Sequence, residues 1–536
     1  MRTSGRIILF VLAVLSAAYA QSEERPNFLI IMTDDMGFTD LGAFGGHDIR
    51  TPNLDELALN GIRFTNFHGH IRCAPSRALL MSGTGNHEAG LGTQVGFKSA
   101  FGGQRGYERY LTDRVVTLPE ILRERGYHTY IAGKWDLGGP QRVEPAERGF
   151  EKSMVGVEGA GGHYQAINPK FRSSGNARYR RNGEAIAEQD EPTYSTTLYT
   201  DALISFFEED KASDKAFFAL YAPTAPHWPL HYPPAMRDTY AGAYSDGYEV
   251  LREQRIKAAT AAGVLPEGAD LDGYESKATA WQLLSDEDKA INSRLMEIYA
   301  AMTTHLDAEV GRLLDKLRDI GALDNTLVMF INDNGALGGP IFRVPANISA
   351  DKNVDNSLEN LGAGNSWARM GQGWAEAANA PFRGGKGSVY EGGVRVAAFV
   401  YWGDANHTES INRQYLNNMD VMPTLLELAG MTHPAPRFDN RDVLPMRGKS
   451  FAGILRGNNS SVHEPSEVIA LSSTGLHFMF RGNLKLLKEV GSDWELYDLA
   501  ADPYERHNLS GTQPELLQEL LAEFEIQAAK SNILDR

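Results

Sequence analysis

Four strand-like runs constrain the fold of this 536-residue chain more than any other feature of its sequence. They are NFLIIM (27–32), YHTYIA (127–132), AFFALY (216–221) and TLVMFI (326–331). Each run stops abruptly at polar residues. Largely continuous apolar runs of this length suit strands buried on both faces, as in mostly parallel sheets covered by helices. The sequence therefore predicts an α/β fold built on a large, mixed and mostly parallel sheet.

Helical patterns lie between these runs. The stretch TLPEILRERG places Pro119 early and Gly126 at its end, the order expected at a helix start and stop. Residues 292–320 are predicted to form an amphipathic helix, because apolar side chains recur three or four residues apart. These are Leu295, Ile298, Met302, Leu306, Val310, Leu313 and Leu317. Residues 237–290 are polar, and we predict a helical insertion near the mouth of the cleft.

The length of the apolar runs changes near residue 436. Shorter runs follow there, namely HFMFR, LKLLKEV and WELYDL. They predict a small antiparallel sheet, on which a final helix at 514–530 packs. We therefore expect a catalytic domain over residues 21–435 and a C-terminal α+β subdomain over 436–536.

Residues 1–20 have the form of a cleaved signal peptide. Arg2 and Arg6 precede a short apolar run, which ends on the small-x-small pattern Ala18-Tyr19-Ala20. The apolar part is short for a membrane span, although an uncleaved anchor is the alternative. We expect a mature chain that is secreted or periplasmic and has no stable membrane partner.

The charge balance bears on possible partners. The chain carries a formal net charge of −17. Nucleic acids and anionic membranes both require a basic face, so neither is an expected partner. A small anionic substrate remains compatible, because a local cluster of cations outweighs the global charge.

Two polar pairs follow strand-like runs, Asp34 with Asp35 and Asp333 with Asn334. Ligands of open α/β sheets bind at the carboxyl ends of strands, so we expect the pairs to converge. Three facing carboxylates repel one another unless a cation neutralises them. Oxygen ligands indicate a hard ion, Ca²⁺ or Mg²⁺, with Ca²⁺ favoured outside the cell. The alternative is that these are ordinary turn and cap residues.

A second set could bind an anion. Its members are Arg77, Lys134, His227 and Lys386. Arg77 lies four residues after Cys73, so both share a face of a helix that begins near Ala74. Pro75 fits the first turn of that helix, whose N-terminal N–H groups would also face an anion. Taken singly, each cation is equally compatible with a solvated surface position.

Cys73 is the only cysteine of the chain. It could be a buried small hydrophobic residue or a thiolate nucleophile with a His partner. It could also be the precursor of another group, because an exposed thiol oxidises outside the cell. The residues alone leave these three alternatives open.

The stretch CAPSRALLMSG (73–83) resembles the sulfatase signature, in which Cys-x-Pro-Ser-Arg directs an enzyme to oxidise the cysteine to formylglycine. Other stretches are also similar to type I sulfatases, including RPNFLIIMTDDMGFTDLGAFGG, TPNLDELALNGIRFTNFH, AGKW, APHWPL, DNTLVMFINDNGA and EGGVRV. The resemblance runs from about residue 25 to about residue 510 and is closest to the bacterial arylsulfatases. It implies an alkaline-phosphatase-like fold and an arylsulfatase-type sulfuric ester hydrolase.

The resemblance also implies residue roles. It makes Asp34, Asp35, Asp333 and Asn334 the ligands of one Ca²⁺ per chain, with modified Cys73 touching the ion. Arg77 would steady the modified side chain. Lys134, His227 and Lys386 would bind the sulfate or its developing charge. The implied partners are a small anionic sulfate ester and, during maturation, a formylglycine-generating enzyme.

The implied chemistry begins when the aldehyde hydrates to a gem-diol. Calcium favours deprotonation of one hydroxyl, which attacks sulfur. Lys386 and His227 stabilise the departing oxygen, with His227 as the acid. The second hydroxyl then collapses to the aldehyde and expels sulfate.

One position departs from the family pattern. The usual Gly-Lys-Trp-His-Leu-Gly reads GKWDLG here, so Asp136 replaces a histidine. In the family that histidine takes the proton of the second hydroxyl during sulfate release. A carboxylate also accepts a proton but adds negative charge beside an anionic substrate. We expect slowed or pH-shifted turnover, with sulfate release most affected.

Alternatives to this function remain at the level of sequence. One is a phosphomonoester or phosphonate hydrolase on the same fold, and another is a weakened binder of sulfated glycans, suggested by Asp136. The loops at 95–112 and 155–195 do not decide between aryl, alkyl and carbohydrate sulfates. Sequons, which imply N-glycans only in a eukaryote, occur at Asn347, Asn406, Asn458, Asn459 and Asn508.

Overall fold

The computed structural model describes residues 25–97, 100–156, 161–164, 179–186, 193–270, 272–342, 354–403, 410–458 and 460–534. The predicted signal peptide lies outside these ranges, as do the sequons at Asn347, Asn406 and Asn459. Asn458 and Asn508 are both exposed. Across the ranges described, no helix combines the length and the apolar content that crossing a bilayer requires.

Strands and helices are interspersed along the chain up to about residue 430. The strands are β1 Asn27–Thr33, β2 Ile62–His68, β3 His128–Lys134, β4 Lys152–Gly156, β5 Tyr179–Arg181, β6 Glu184–Ala185, β7 Phe217–Ala222, β8 Thr326–Asn332, β9 Arg395–Trp402, β10 Ser410–Asn412, β11 Leu416–Asn417, β12 Arg437–Phe438, β13 Arg441–Asp442, β14 Val468–Ser473, β15 Leu476–Arg481, β16 Leu484–Lys488 and β17 Glu495–Asp498. The α-helices are α1 Pro52–Leu59, α2 Cys73–Ser82, α3 Leu118–Glu124, α4 Ser195–Asp210, α5 Tyr248–Ala261, α6 Asp286–Asp319, α7 Gln372–Ala378, α8 Glu391–Val394, α9 Val421–Leu428, α10 Ala452–Leu455 and α11 Pro514–Ser531.

The large sheet is mixed and mostly parallel, which confirms the predicted fold class. In the described part of the chain its order is β10-β2-β9-β8-β1-β7-β3-β4-β5-β6, with β11 also paired to β2. The neighbours β8, β1, β7, β3 and β4 are parallel to one another. Strand β9 is antiparallel to both of its neighbours. All four of the strand-like runs therefore lie in the parallel centre of the sheet.

Helices cover both faces of this sheet, as the side chains of β1 show. Phe28, Ile30 and Met32 face one hydrophobic core, to which helix α2 contributes Ala74 and Ala78. Leu29 and Ile31 face the other core, where helix α6 contributes Leu306 and Val310. All five of these strand residues are fully buried. A strand covered on both faces needs apolar side chains at every position, which explains the continuous apolar run.

Helix α6 begins earlier than the apolar spacing predicted. It starts at Asp286 rather than at residue 292, and it ends at Asp319. The Ser285 side chain caps it by accepting a hydrogen bond from the Asp288 N–H, and acidic side chains fill the first turn. The prediction missed this start because the first turn is polar and leaves no apolar periodicity.

The segment 237–290 is helical only in part. It forms helix α5 and a single 3₁₀ turn at Trp281–Leu283 before α6 begins. Arg255 of α5 is buried and pairs with Asp40 and Asp48 at 2.6 and 2.8 Å. Helix α5 is thereby fixed to the loop that continues from the Asp34–Asp35 pair.

A small C-terminal subdomain follows, as the predicted fold class included. Strands β14 to β17 form a four-stranded antiparallel sheet in chain order. Helix α11 packs on this sheet through Leu520 and Phe524, which contact a core that also holds Leu486 and Leu496.

A buried ionic cluster joins this small sheet to the large domain. Lys485 of β16 places its Nζ 2.8 Å from Glu391 and 2.7 Å from Glu505. All three side chains are fully buried. Glu391 also lies 3.1 Å from His68 Nε2, and it begins helix α8 shortly after the loop that carries Lys386. The cluster therefore ties the small sheet to the segment that follows Lys386.

Replacing Lys485 with methionine is expected to lower the free energy of unfolding by about 3–5 kcal/mol, because two carboxylates would stay buried without their shared cation. Urea unfolding followed by tryptophan fluorescence measures this change. Lys449, whose side chain is about half exposed, provides the control: Lys449→Met should change stability by less than about 0.5 kcal/mol. Equal unfolding midpoints for the two variants would contradict the role given to Lys485.

Candidate active site

The polar pairs that follow β1 and β8 meet at one edge of the large sheet. These strands are parallel and in register, with Thr33 opposite Asn332. The Asp333 N–H donates to the Thr33 carbonyl at 3.1 Å, which extends the pairing into the loops. The side chains that follow, Asp34, Asp35, Asp333 and Asn334, are all buried. The structure thus brings together the four residues predicted as oxygen ligands.

Cys73 lies at the centre of this edge, as the first residue of helix α2. Pro75 sits in the first turn, and the predicted helix start near Ala74 is correct to within one residue. The buried Sγ donates to Asp34 Oδ1 at 3.3 Å, and Lys386 Nζ lies 3.0 Å from the same sulfur. The sulfur therefore faces a charged pocket rather than the apolar core.

The environment of Cys73 disfavours a thiolate. Burial, together with the nearby carboxylates of Asp333 and Asp34, raises the pKa of the Cys73 thiol well above its usual value. An unmodified Cys73 is therefore a protonated thiol and a poor nucleophile. Of the three alternatives left open by the sequence, a precursor of another group agrees best with this position.

Two predicted cations pair directly with the carboxylates that follow β1. Lys134, the last residue of β3, places its Nζ 2.7 Å from Asp34 Oδ2. Lys386 lies in the loop between α7 and α8, and its Nζ is 2.5 Å from Asp35 Oδ1. Its backbone N–H donates to the Ala336 carbonyl at 3.1 Å, which ties that loop to the one after β8. Two pairs of opposite charge thus lie close to the sulfur.

Arg77, on helix α2, joins two other parts of the site. Its Nη2 donates to Asp333 Oδ2 at 2.9 Å, and its Nη1 donates to the Lys134 carbonyl at 3.0 Å. Arg77 therefore fixes Asp333 and the end of β3 relative to helix α2.

The carboxylates of Asp34 and Asp333 repel each other despite the cations around them. Burial opposes ionisation of Asp34, but the charges of Lys134 and Lys386 outweigh it and hold the pKa of Asp34 well below its usual value. Burial and the charge of Asp34 raise the pKa of Asp333 to about 7, despite Arg77. A further positive charge between the two strand ends would relieve this repulsion.

Unpartnered polar atoms indicate where such a charge fits. Asp35 Oδ2 and Asn334 Oδ1 are buried and lack a hydrogen-bond partner. Ligand atoms of Asp34, Asp35, Cys73 and His227 all lie within 4.8 Å of one another. Two carboxylates and an amide oxygen suit a hard divalent cation such as Ca²⁺. The residues present therefore fit the predicted ion.

His227 joins this cluster from the loop after β7. Its Nδ1 donates to the Trp228 carbonyl at 2.5 Å, so in the neutral ring Nε2 is an acceptor. That Nε2 lies 3.5 Å from Asp35 Oδ2, which is also an acceptor. Burial lowers the pKa of His227 to about 4 and favours this neutral form. A cation or a substrate group between the two atoms would satisfy both.

His163 supports His227 and was not predicted. Its Nε2 lies 2.7 Å from the His227 carbonyl, which can only accept, so Nε2 carries the proton. Its Nδ1 then accepts from Ser195 Oγ at 2.9 Å. The residue fixes the backbone at His227. No strand-end or spacing pattern marks His163 in the sequence.

Asp136, the departure from the family pattern, lies beside Lys134. It is buried, its backbone is in the left-handed region with φ 53°, and its Oδ2 is 3.8 Å from Lys134 Nζ. Gln94, also not predicted, donates to Asp136 Oδ2 at 2.7 Å and accepts from the Ala74 N–H at 3.1 Å. Asp136 Oδ1 is buried without a partner, and burial raises the pKa of the carboxyl. This oxygen is available to accept a proton.

Comparison with known families agrees with this geometry. The sulfatase family model matches residues 26–431, most of the chain. A second model, for the C-terminal part of N-sulphoglucosamine sulphohydrolase, matches residues 385–530. These matches confirm the resemblance to sulfatases that the sequence motifs indicated.

Individual relatives lead to the same family. An uncharacterized sulfatase of Schizosaccharomyces pombe is 39% identical over 95% of both chains. An arylsulfatase of Klebsiella aerogenes is 34% identical over 82% of this chain and 93% of its own length. The solved structure of Ps i-CgsB is 22% identical, covers 94% of this chain and 93% of its own, and has a TM-score of 0.67. That structural likeness supports the fold.

Proposed function

Because this chain belongs to the sulfatase family and hydrolyses sulfate esters, we propose that Cys73, after oxidation to formylglycine, supplies its nucleophile. The position of the sulfur carries this proposal: Sγ lies 3.3 Å from Asp34 Oδ1 and 3.0 Å from Lys386 Nζ, within the cation-binding cluster. The family comparisons favour a sulfate ester over the phosphomonoester alternative. Turnover of 4-nitrophenyl sulfate by the wild-type protein and by Cys73→Ala tests the proposal.

The side chains around Cys73 have two different roles toward the substrate, binding the sulfate group and donating a proton. Lys134 and Lys386 bind the sulfate oxygens and offset their growing charge as the ester bond breaks. His227 Nε2 donates a proton to the departing alcohol oxygen, and the anionic ester beside the ring favours its protonated form. The loop after β7, held by His163, keeps this ring in place.

Asp136 has a separate role in releasing sulfate. Its free Oδ1 accepts the proton that must leave the hydrated Cys73 side chain, while Gln94 holds the other oxygen. Because Gln94 also binds the Ala74 N–H, the acceptor is aligned with the start of helix α2. A buried carboxylate beside Lys134 thus takes the part of the histidine found in the family pattern.

A calcium ion completes the proposed site, held by Asp34, Asp35, Asp333 and Asn334 together with Cys73. When bound, Ca²⁺ supplies positive charge that favours ionisation of an adjacent hydroxyl. The unpartnered oxygens of Asp35 and Asn334, together with the raised pKa of Asp333, support this assignment.

Adding Ca²⁺ to chelator-treated protein is expected to raise its thermal midpoint. At a free concentration of about 100 times Kd, one site stabilises the fold by about 2.7 kcal/mol. Asp35→Ala should abolish the shift, whereas Asp442→Ala, at a side chain that is 92% exposed, should retain it. A shift of equal size in the Asp35 variant would place the ion elsewhere.

We further propose that the protein is exported, with residues 1–20 removed as a signal peptide. Support comes from the charged start, the apolar run and the Ala18-Tyr19-Ala20 pattern. N-terminal sequencing of the extracytoplasmic protein should begin at Gln21. A protein that keeps Met1 and fractionates with membranes would instead indicate an uncleaved anchor.

A further inference from the structure

Arg72, the residue immediately before Cys73, places its guanidinium at the edge of the site. It caps helix α2 with extended backbone, at φ −149° and ψ 153°, and its side chain is half-buried. Within the described ranges, this side chain makes no ion pair or hydrogen bond. Its Nε is buried and lacks a hydrogen-bond partner. An arginine held in this way retains its donors for a ligand.

The contacts of Arg72 place its guanidinium beside the catalytic loop. Cζ, Nη1 and Nη2 all lie 3.8–3.9 Å from the point that a Cβ on Gly387 would occupy. Gly387 follows Lys386 directly, and its N–H donates to the Ile71 carbonyl at 2.9 Å. The guanidinium therefore packs on the backbone next to the lysine that contacts Cys73 Sγ.

Phe97 braces the guanidinium. Arg72 Cζ lies 4.8 Å from the centre of the Phe97 ring, within cation–π distance. The Phe97 side chain is 44% exposed, and its carbonyl accepts from Arg109 Nη1 at 2.9 Å. Three residues earlier the same loop provides Gln94, which binds Asp136. The Phe97 ring therefore lies on a loop that is anchored at the site, and part of the ring is exposed to solvent.

The other cations near Cys73 differ from Arg72 in their partners. Arg77, Lys134 and Lys386 each pair with one carboxylate of the predicted calcium set. Arg72 has no such partner among the described residues. A half-buried cation without a counter-charge is costly unless an anion joins it. An anion brought by the substrate would supply that counter-charge.

We propose that Arg72 binds a second oxyanion, a carboxylate or a sulfate, on the alcohol half of the ester. Its planar fork donates two parallel hydrogen bonds to such a group, and the exposed Phe97 ring packs against the carbon frame that links the two anions. The favoured substrate class is therefore a dianionic sulfate ester. The assignment rests on the proposed function for the position of the reacting sulfate.

Ligands that have no ester bond test this assignment by binding alone. The probes are benzenesulfonate, 3-sulfobenzoate and benzene-1,3-disulfonate, titrated calorimetrically into calcium-loaded wild-type protein. Both dianions should bind about 10- to 100-fold more tightly than benzenesulfonate, the range expected of one charge-assisted pair. The tighter of the two dianions identifies carboxylate or sulfate as the preferred second group.

Variants of Arg72 assign the preference to this residue. In Arg72→Gln the affinity ratio of dianion to monoanion should fall to about one, and Arg72→Lys should keep part of it because the charge remains. Arg437→Gln, at a side chain that is 67% exposed, should keep the wild-type ratio. Equal affinities in the wild-type protein, or an unchanged ratio in Arg72→Gln, would overturn the proposal.

The binding ratio separates this proposal from the proposed function. A protein that keeps the ratio but never turns over a sulfate ester would contradict the role of Cys73 and support that of Arg72. A protein that hydrolyses 4-nitrophenyl sulfate but binds monoanions and dianions equally well would contradict the role of Arg72 and leave that of Cys73 intact.

Discussion

Replacing Cys73 with alanine is expected to lower kcat for 4-nitrophenyl sulfate by about a millionfold, the scale of loss when an enzyme loses its nucleophile. Alanine removes the sulfur that lies 3.3 Å from Asp34 Oδ1 and 3.0 Å from Lys386 Nζ. The fold should persist, because the side chain is small and the change leaves the start of helix α2 intact. Release of 4-nitrophenol measures the rate, and the thermal midpoint verifies folding.

Cys73→Ser provides the matched control, because it keeps size and polarity. A sulfated serine has no second hydroxyl on the same carbon, so it cannot expel sulfate by collapsing to an aldehyde. We therefore expect Cys73→Ser to release at most one 4-nitrophenol per protein molecule. A kcat within tenfold of the wild-type value in either variant would rule out Cys73 as the nucleophile.

Replacing Asp136 with asparagine is expected to lower kcat by about 10²- to 10⁴-fold, the usual contribution of a general base. The amide keeps the hydrogen-bonding shape but cannot take up the proton. Because sulfate release is the step that needs this acceptor, the first equivalent of 4-nitrophenol should appear rapidly before the slow phase. Stopped-flow absorbance resolves the two phases. Asp113→Asn, at an 83% exposed side chain, should behave as wild type.

The pH dependence of kcat tests the same role. Burial raises the pKa of Asp136, and the carboxylate accepts a proton only when ionised. Activity should therefore decline on the acid side at a higher pH than an ordinary aspartate would give. In Asp136→His the acceptor is an imidazole, whose pKa burial lowers rather than raises, so the position of the acid limb should change. Superimposable wild-type and Asp136→His profiles between about pH 5 and 9 would refute the assignment.

The sequence was most informative where local pattern and burial coincide. The four strand-like runs predicted the parallel centre of the sheet because both faces of those strands are covered, as Leu29 and Ile30 illustrate. Parallel strands end at the same edge, so the convergence of Asp34 with Asp333 followed from the topology. Pro75 located the start of α2 because proline suits the first turn of a helix.

Other features depend on long-range packing that leaves no local pattern. Gln94 and His163 lie in loops, and their roles arise from contacts with Asp136 and the His227 carbonyl. The partner of Arg77 also escaped prediction, because helical spacing places it near Cys73 without revealing that Asp333 is close enough to bind it. The early start of α6 depended on a polar cap at Ser285 rather than on apolar spacing.

Mass spectrometry of the peptide containing Cys73, from enzyme that is active as isolated, tests the central claim most directly. The account predicts that this peptide carries an aldehyde, with oxygen in place of sulfur and two hydrogens fewer, and that its fraction tracks specific activity between preparations. A fully active preparation in which Cys73 is entirely an unmodified thiol would contradict the account.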